Sequence, residues 1–441
     1  MLWQVKKVMH GHFSDLSSLI RNFNDPRIGI EYTIEELLMA AIVLFVLKCD
    51  SRNSFNHKVK DENFCKNYYR IFRLSVPHMD AVNDLLAAIK TEVLEDLRCH
   101  VLQRLIEKRV FHQYRFFDKY FCIAIDATGV YNWTDDALPE DIGKHALQKT
   151  SKKGKITRFT LVVEAVLICS NGMTIPLMSE WVANDGKEYV KQDCELNAFK
   201  RLAKRLKSCF PRLSICLLVD GLYTNVSLMD ICKEYQWKFI TVFKDGNLST
   251  VWEEVKSLLP LNQDKSIKEQ ISGDANHWYT RNYKWLCDIE YQKHKIQYME
   301  CTETTQHRKS KEECSHWFVF LTNLDVDANN VASFIRAGRA RWGIEDAFNT
   351  QKNRGYVLHH KFNRVNFNAI KNWHNIRQLA FLVCKFVEYT QETGEVKKEI
   401  STMTIKELWQ DLNWFLTMCD VDDVCLEFDQ LIKPRIQIRL Q

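Results

Sequence analysis

Three acidic residues carry the chemistry this sequence offers: Asp126 in FCIAIDATG, Asp220 in SICLLVDGLY and Glu345 in RARWGIEDAFNTQKNRG. Each aspartate closes a short apolar run of the kind that forms a buried strand. The glutamate lies in a segment that reads as a helix. There Arg341, Glu345 and Lys352 are four and then seven residues apart. At about 100° per residue all three fall within an arc of roughly 40° on one face. A carboxylate flanked by cations on one stripe suits a metal ligand that must face a phosphate backbone. Phosphodiester cleavage needs an activated water or hydroxyl and a stabilised leaving oxygen, and two divalent ions about 4 Å apart supply both. Magnesium prefers oxygen donors and keeps some of its waters, so a few Asp or Glu side chains suffice. Asp126, Asp220 and Glu345 therefore read as a three-carboxylate metal site for cutting and joining DNA.

Taken singly, each residue has an ordinary explanation. An Asp after an apolar strand is most often a turn or cap residue. A Glu between basic residues usually belongs to a solvated face with i,i+4 pairs. Lys149, Lys152, Lys153, Lys155 and Arg158, a basic stretch after the first Asp, are by themselves a solvated loop. The joint order of the three acids, and the long gap before Glu345, favour the chemical reading.

The elements that must position these residues follow from periodicity. Residues 1–118 read as a helical N-terminal domain. Thr33 followed by Glu35 and Glu36 marks a helix start ahead of LLMAAIVLFVL, and His78–Phe111 has apolar residues at helical spacing. Residues 119–245 alternate strand, hairpin, helix, strand, helix, strand, with Asn171-Gly172 as a two-residue hairpin turn. They form the first part of a mixed sheet with helices packed on it. Residues 246–315 are a strand-rich insertion with the charged loop HRKSKEE. Residues 316–390 return to the core through the strand HWFVFLTNL and the Glu345 helix, capped by Asn329 or Asn330 and ended by Gly355. Residues 391–441 form a helical C-terminal segment.

Composition bounds the rest. The 441 residues are 46% hydrophobic and 27% charged, with a formal net charge of +5. This is an ordinary globular balance, and any basic surface must be local. The 15 cysteines form no CxxC pair and no dense framework. MLWQVKKVMHGHF has no long apolar stretch of the kind a signal peptide requires. Reduced thiols in a cytoplasmic protein are expected. LLMAAIVLFVL is too short to span a bilayer, which takes about 20 residues. Neither His10 with His12 nor His359 with His360 has a Cys or acidic partner at zinc-site spacing, so both pairs read as structural or DNA-facing. Asp193 and Glu195 in KQDCE are a reserve acid pair, read as structural.

At these residues the chain resembles the DDE transposases of bacterial insertion sequences, most of all the group whose third acid lies in a YREK signature. Arg341, Glu345 and Lys352 match that signature in type and spacing, and the lead-in FLTNL also resembles the group. The signature Tyr is replaced by Gly338. LLMAAIVLFVLKCDSRNSFN, IDATG, KQDCELNAFKR and the Asp220 strand are similar to ISNCY-type transposases, so the resemblance covers roughly residues 34–352. It implies an α/β, ribonuclease-H-like core and Asp126, Asp220 and Glu345 as ligands of two Mg²⁺ ions, replaceable by Mn²⁺. Water would attack the transposon end to free a 3′-OH, which would then attack target DNA. Arg341 and Lys352 would hold phosphates near the cut, and Arg339, Lys152, Lys153, Lys155 and Arg158 complete the expected DNA contacts. The implied partners are double-stranded terminal-repeat and target DNA and a second copy of the chain. The implied location is cytoplasmic, on chromosomal DNA, with no membrane.

Two other readings stay open. A transposase-derived protein that binds DNA without cutting would keep the same elements. A phosphatase of the haloacid-dehalogenase type also starts with an Asp at a strand end and a nearby Thr, as Asp126 and Thr128 loosely do. That chemistry needs a second acid two residues after the first, and this chain has none there.

Overall fold

The structure, a computed structural model, describes residues 2–117, 119–133, 138–184, 192–271, 277–390 and 404–421. Seven helices come first: α1 (Leu2–His12), α2 (Leu16–Arg21), α3 (Ile34–Val46), α4 (Arg52–Val59), α5 (Glu62–Phe72), α6 (Met79–Ala88) and α7 (Thr91–Glu107). Thr33 and Glu36 form a reciprocal capping box at the start of α3, satisfying backbone donors that a helix end leaves open. Nearly every side chain of α3 is buried, so its apolar run is core. No helix among the described residues is long and apolar enough to cross a membrane.

The helical spacing over 78–111 runs through a break. Ile89 and Lys90 are extended between α6 and α7. Asn372 donates to the carbonyls of Leu86 and Ile89, and Asn368 to those of Ala87 and Ile89. These amides satisfy the carbonyls left open at the end of α6, and local periodicity carries no trace of them.

A ten-stranded sheet follows. Its strands are β1 (Phe121–Trp133), β2 (Leu147–Thr150), β3 (Ile156–Ile168), β4 (Thr174–Val182), β5 (Ile215–Val219), β6 (Lys238–Val242), β7 (Ser266–Ile271), β8 (His277–Tyr291), β9 (His294–His307) and β10 (Glu313–Thr322). The spatial order is β2-β3-β1-β5-β6-β10-β9-β8-β7, with β4 on β3 beside β2. β1, β5 and β6 run parallel and every other pairing is antiparallel. The fold is thus α/β with a mixed sheet. Strands β7 to β9, from the stretch read as an insertion, extend this sheet through β10, which pairs with both β6 and β9.

Between and after the strands lie α8 (Glu140–His145), α9 (Glu195–Cys209), α10 (Val226–Tyr235), α11 (Ser249–Leu258), α12 (Val331–Ala340), α13 (Gly343–Asn353), α14 (Phe367–Glu388) and α15 (Ile405–Met418). Side chains of the central strands alternate between two cores, as parallel strands covered on both faces must. Ile123, Ile125, Leu217 and Val219 join the main core with α3, α7, α9 and α14. Cys122, Ala124, Cys216 and Leu218 pack with α12 and α13. Long α14 also lies against α1, α3, α6 and α7, tying the first hundred residues to the last quarter of the chain.

Two further expectations change. The β3–β4 hairpin closes with a Cys169–Met173 backbone bond, leaving Ser170, Asn171 and Gly172 as a three-residue loop. Gly172 takes the positive φ (+86°) that such a loop needs. The thiols are not all reduced: Cys99 of α7 and Cys209 of α9 form a disulfide, because the helices bring their Cα atoms to 6.3 Å. The other described cysteines are free.

Candidate active site

The last parallel pair between β1 and β5 is Ile125 with Val219. The next residue on each strand is an aspartate, so Asp126 and Asp220 stand side by side where the two strands part. Asp126 does not end its strand, as the apolar run implied. β1 continues to Trp133, held on that stretch by β3 alone. The extension is polar in places and carries no apolar run to announce it.

Glu345 reaches the same place from the helical layer. The expected single helix is two, α12 and α13, joined at Arg341 and Trp342. At the joint the Arg341, Trp342 and Ile344 amides bond three residues back rather than four, a tightening that bends the axis. Asn330 occupies the position before α12 but its side chain accepts from no α12 amide; its Oδ1 accepts from the Asp327 N–H instead. Gly355, at φ +83°, follows the end of α13 as expected. Gly338, in the signature Tyr position, is where α12 touches the sheet. A Cβ there would lie 2.8 Å from Phe320 Cε1 and 3.0 Å from Ile240 Cγ2, so no side chain fits.

Arg341 links the acids. It is 5% exposed. Its Nη2 donates to Glu345 Oε1 at 2.7 Å, and its Nη1 lies 3.7 Å from Asp126 Oδ2. Among the described residues its Nε and Nη1 have no hydrogen-bond acceptor, so a buried guanidinium keeps donors in reserve beside the carboxylates. Lys352 is half-buried. Burial lowers its pKa, and the Asp126 charge opposes that shift. The neighbouring Trp342 indole is 61% exposed at the joint.

The electrostatics follow from this crowding. Burial pushes the Asp126 carboxyl up to about 6, helped by the negative charges of Glu195 and Glu345 and opposed by the Ala127 N–H and Arg341. Burial would also raise Asp220. Hydrogen bonds from Lys244 and the Gly221 N–H, with the charges of Lys244 and Arg341, outweigh it and hold Asp220 below its usual value. Lys244 Nζ lies 2.8 Å from Asp220 Oδ1 and 2.9 Å from Oδ2.

Glu195, read from sequence as structural, belongs to this cluster. It opens α9, accepts a 2.5 Å hydrogen bond from Tyr223 in the turn after Asp220, and is raised by burial and by the Asp220 charge. KQDCE gives no hint of this, because the proximity arises only when α9 folds back past the end of β5. Its former partner Asp193 points elsewhere, pairing with Arg201 at 2.7 Å.

The remaining basic residues lie away from the acids. Arg339 binds Glu303 with two hydrogen bonds, at 2.9 and 3.1 Å, and stacks on Phe318. Lys152, Lys153 and Lys155 are exposed at the tip of the β2–β3 hairpin. Glu164, opposite Asp126 on β3, is nine residues from Lys155, or roughly 30 Å along a strand. Arg158 lies between, opposite Trp133. His359 bonds the Val130 carbonyl, and burial pushes His12 down to about 4.

The donor set suits Mg²⁺ or Mn²⁺: carboxylate oxygens on rigid strand and helix ends, with like charges that a cation would relieve. Among the described residues no three His, Cys, Asp or Glu side chains stand close enough to hold an ion as they are placed. Arg341 and Lys244 lie among the acids instead. No protein-family model matches the sequence, and no curated protein matches it.

Proposed function

We propose that this protein is a DNA transposase of the DDE type with a ribonuclease-H-like core. It would cut transposon ends and join the freed 3′-OH to target DNA. The observation that carries the reading is the register that sets Asp126 beside Asp220, with Glu345 bound through Arg341 from the crossing helix. The order β4-β3-β1-β5-β6, three antiparallel strands followed by two parallel ones, supports it, with Asp126 within β1 where its pairing to β5 ends and Asp220 just after β5.

In this reading Asp126, Asp220 and Glu345 would hold two Mg²⁺ ions, which would supply an activated water or 3′-OH and charge for the leaving oxygen. Glu195, whose charge is felt at Asp126 and which itself feels Asp220, would be a further candidate ligand. Arg341, buried with its Nε and Nη1 covered, would hold Glu345 in place and set a positive charge behind the acids rather than reach the phosphate directly. Lys352 adds a point charge beside Asp126. Tyr223 orients Glu195. Bound duplex DNA covers the cleft and excludes bulk water. The partners are terminal-repeat and target DNA, with a second copy of the chain on the paired ends, at the chromosome in the cytoplasm.

The test is cleavage of the element's own end DNA with Mg²⁺ or Mn²⁺. Wild type should cut, while Asp126→Ala, Asp220→Ala and Glu345→Gln should bind the DNA but not cut it. Cutting by Glu345→Gln at the wild-type rate would sink the site assignment. Binding without cutting by every form, wild type included, would leave a DNA-binding protein.

A further inference from the structure

We propose that Lys244 is the resting occupant of a cation seat on Asp220, and that its ammonium passes to a DNA phosphate when a divalent ion takes that seat. The proposal rests on the carboxylate–metal reading above. Lys244 follows β6, the neighbour of β5, and its Nζ is almost equidistant from the two Asp220 oxygens, at 2.8 and 2.9 Å. An ion held by both oxygens of that carboxylate would claim the same position.

The arrangement is built rather than incidental. A Cβ on Gly221 would lie 3.1 Å from Lys244 Cδ, 3.3 Å from its Cγ and 3.0 Å from Asn247 Nδ2. The glycine after Asp220 thus leaves the space in which the lysine stem lies. Asn247 Nδ2 donates to the Gly221 carbonyl at 2.7 Å, and Trp252 Nε1 donates to the Lys244 carbonyl at 3.0 Å. The backbone at both ends of the contact is therefore pinned.

The two cations paired directly with the acids, Arg341 and Lys244, differ in one decisive respect. Arg341 is buried and fixed by Glu345, whereas the Lys244 side chain is 57% exposed. Only Lys244 can leave. A compact, hydrated ammonium on a flexible stem suits a movable phosphate contact, and the pinned backbone keeps it within reach of whatever phosphate lies over Asp220. Before the ion arrives, the same contact keeps the Asp220 carboxylate neutralised and oriented.

The experiment is Mn²⁺ binding to DNA-free protein, read by the electron paramagnetic resonance of the free ion. Wild type is compared with Lys244→Ala, Lys244→Arg and Asp220→Asn. Lys244→Ala should bind Mn²⁺ about two- to five-fold more tightly, the scale of an exposed ion pair. Lys244→Arg keeps the competing charge and should stay near wild type, and Asp220→Asn should lose affinity. In duplex titrations with Ca²⁺ present, Lys244→Ala should bind DNA more weakly, with the slope of log affinity against log salt smaller by about 0.9. Unchanged or weaker Mn²⁺ binding by Lys244→Ala, with the expected loss in Asp220→Asn, overturns the Lys244 assignment alone. If Asp220→Asn binds Mn²⁺ as wild type does, the carboxylate–metal reading falls and takes this proposal with it.

Discussion

Asp126 shows how a buried carboxylate among other acids costs the fold something. Its carboxyl is raised from 3.8 to about 6 by burial and neighbouring acids. The unfolded chain therefore gives up this proton at lower pH than the folded one. Below about pH 3 both states hold the proton and there is no penalty. Above pH 6 the folded state carries a charge it disfavours. A displacement of that size amounts to on the order of 1–3 kcal/mol for a half-buried group. Asp126→Asn should accordingly stabilise metal-free protein by about that much at pH 7.5 and by almost nothing at about pH 3, measured by urea unfolding at both pH values. Equal effects at the two values would mean that the carboxylate is not electrostatically strained.

At the scale of elements, the break between α12 and α13 aims Glu345, and the close seat of α12 on the sheet holds the break in place. Gly338 makes that seat possible. Ala at this position gains about 1 kcal/mol in helix propensity but overpacks Phe320 and Ile240, which costs about 1–3 kcal/mol. Gly338→Ala should therefore lower the melting temperature, and a rise would refute the packing argument. Helices, strands and their order were legible in periodicity, because α3, α9, β5 and β6 each carry their own apolar pattern. What stayed hidden was set by distant partners. The α6–α7 break depends on two asparagines of α14, and the second half of β1 depends on β3. The α12–α13 joint falls within one continuous apolar pattern, and the place of Glu195 beside Asp220 depends on how α9 folds back. The trio of Arg341, Glu345 and Lys352 was readable from its spacing, although Arg341 sits in the joint before α13 rather than on one helix with the other two. Lys244 was not, because its partner sits on a neighbouring strand.

Across the whole molecule, one buried polar cluster joins the N-terminal helices, the sheet and α14. Glu164 of β3 meets His374 Nε2 at 2.6 Å and accepts from Ser179 at 2.8 Å, and Arg98 of α7 donates to the same serine at 3.0 Å. Burial lowers the pKa of both Arg98 and Arg377, and the Glu164 charge opposes the shift in each. Glu164→Gln keeps the shape but strips two buried guanidiniums of that anion. It should cost about 3–5 kcal/mol, read as a lower urea midpoint with an unchanged slope. A loss under about 1 kcal/mol, the scale of an exposed ion pair, would show that the cluster is not a structural hub.

The packing of α3 on α14 also governs the life of the chain before it is finished. Val46 and Phe367 are more than three hundred residues apart. At about 5–20 residues per second the ribosome takes roughly 15–60 s to bridge that gap. Throughout that time one of the most apolar helices of the protein is outside the ribosome without α14, although its neighbours α2 and α6 are already made. Newborn chains should therefore be clients of holding chaperones, and chains that terminate before residue 367 should be cleared by proteases rather than persist as stable fragments.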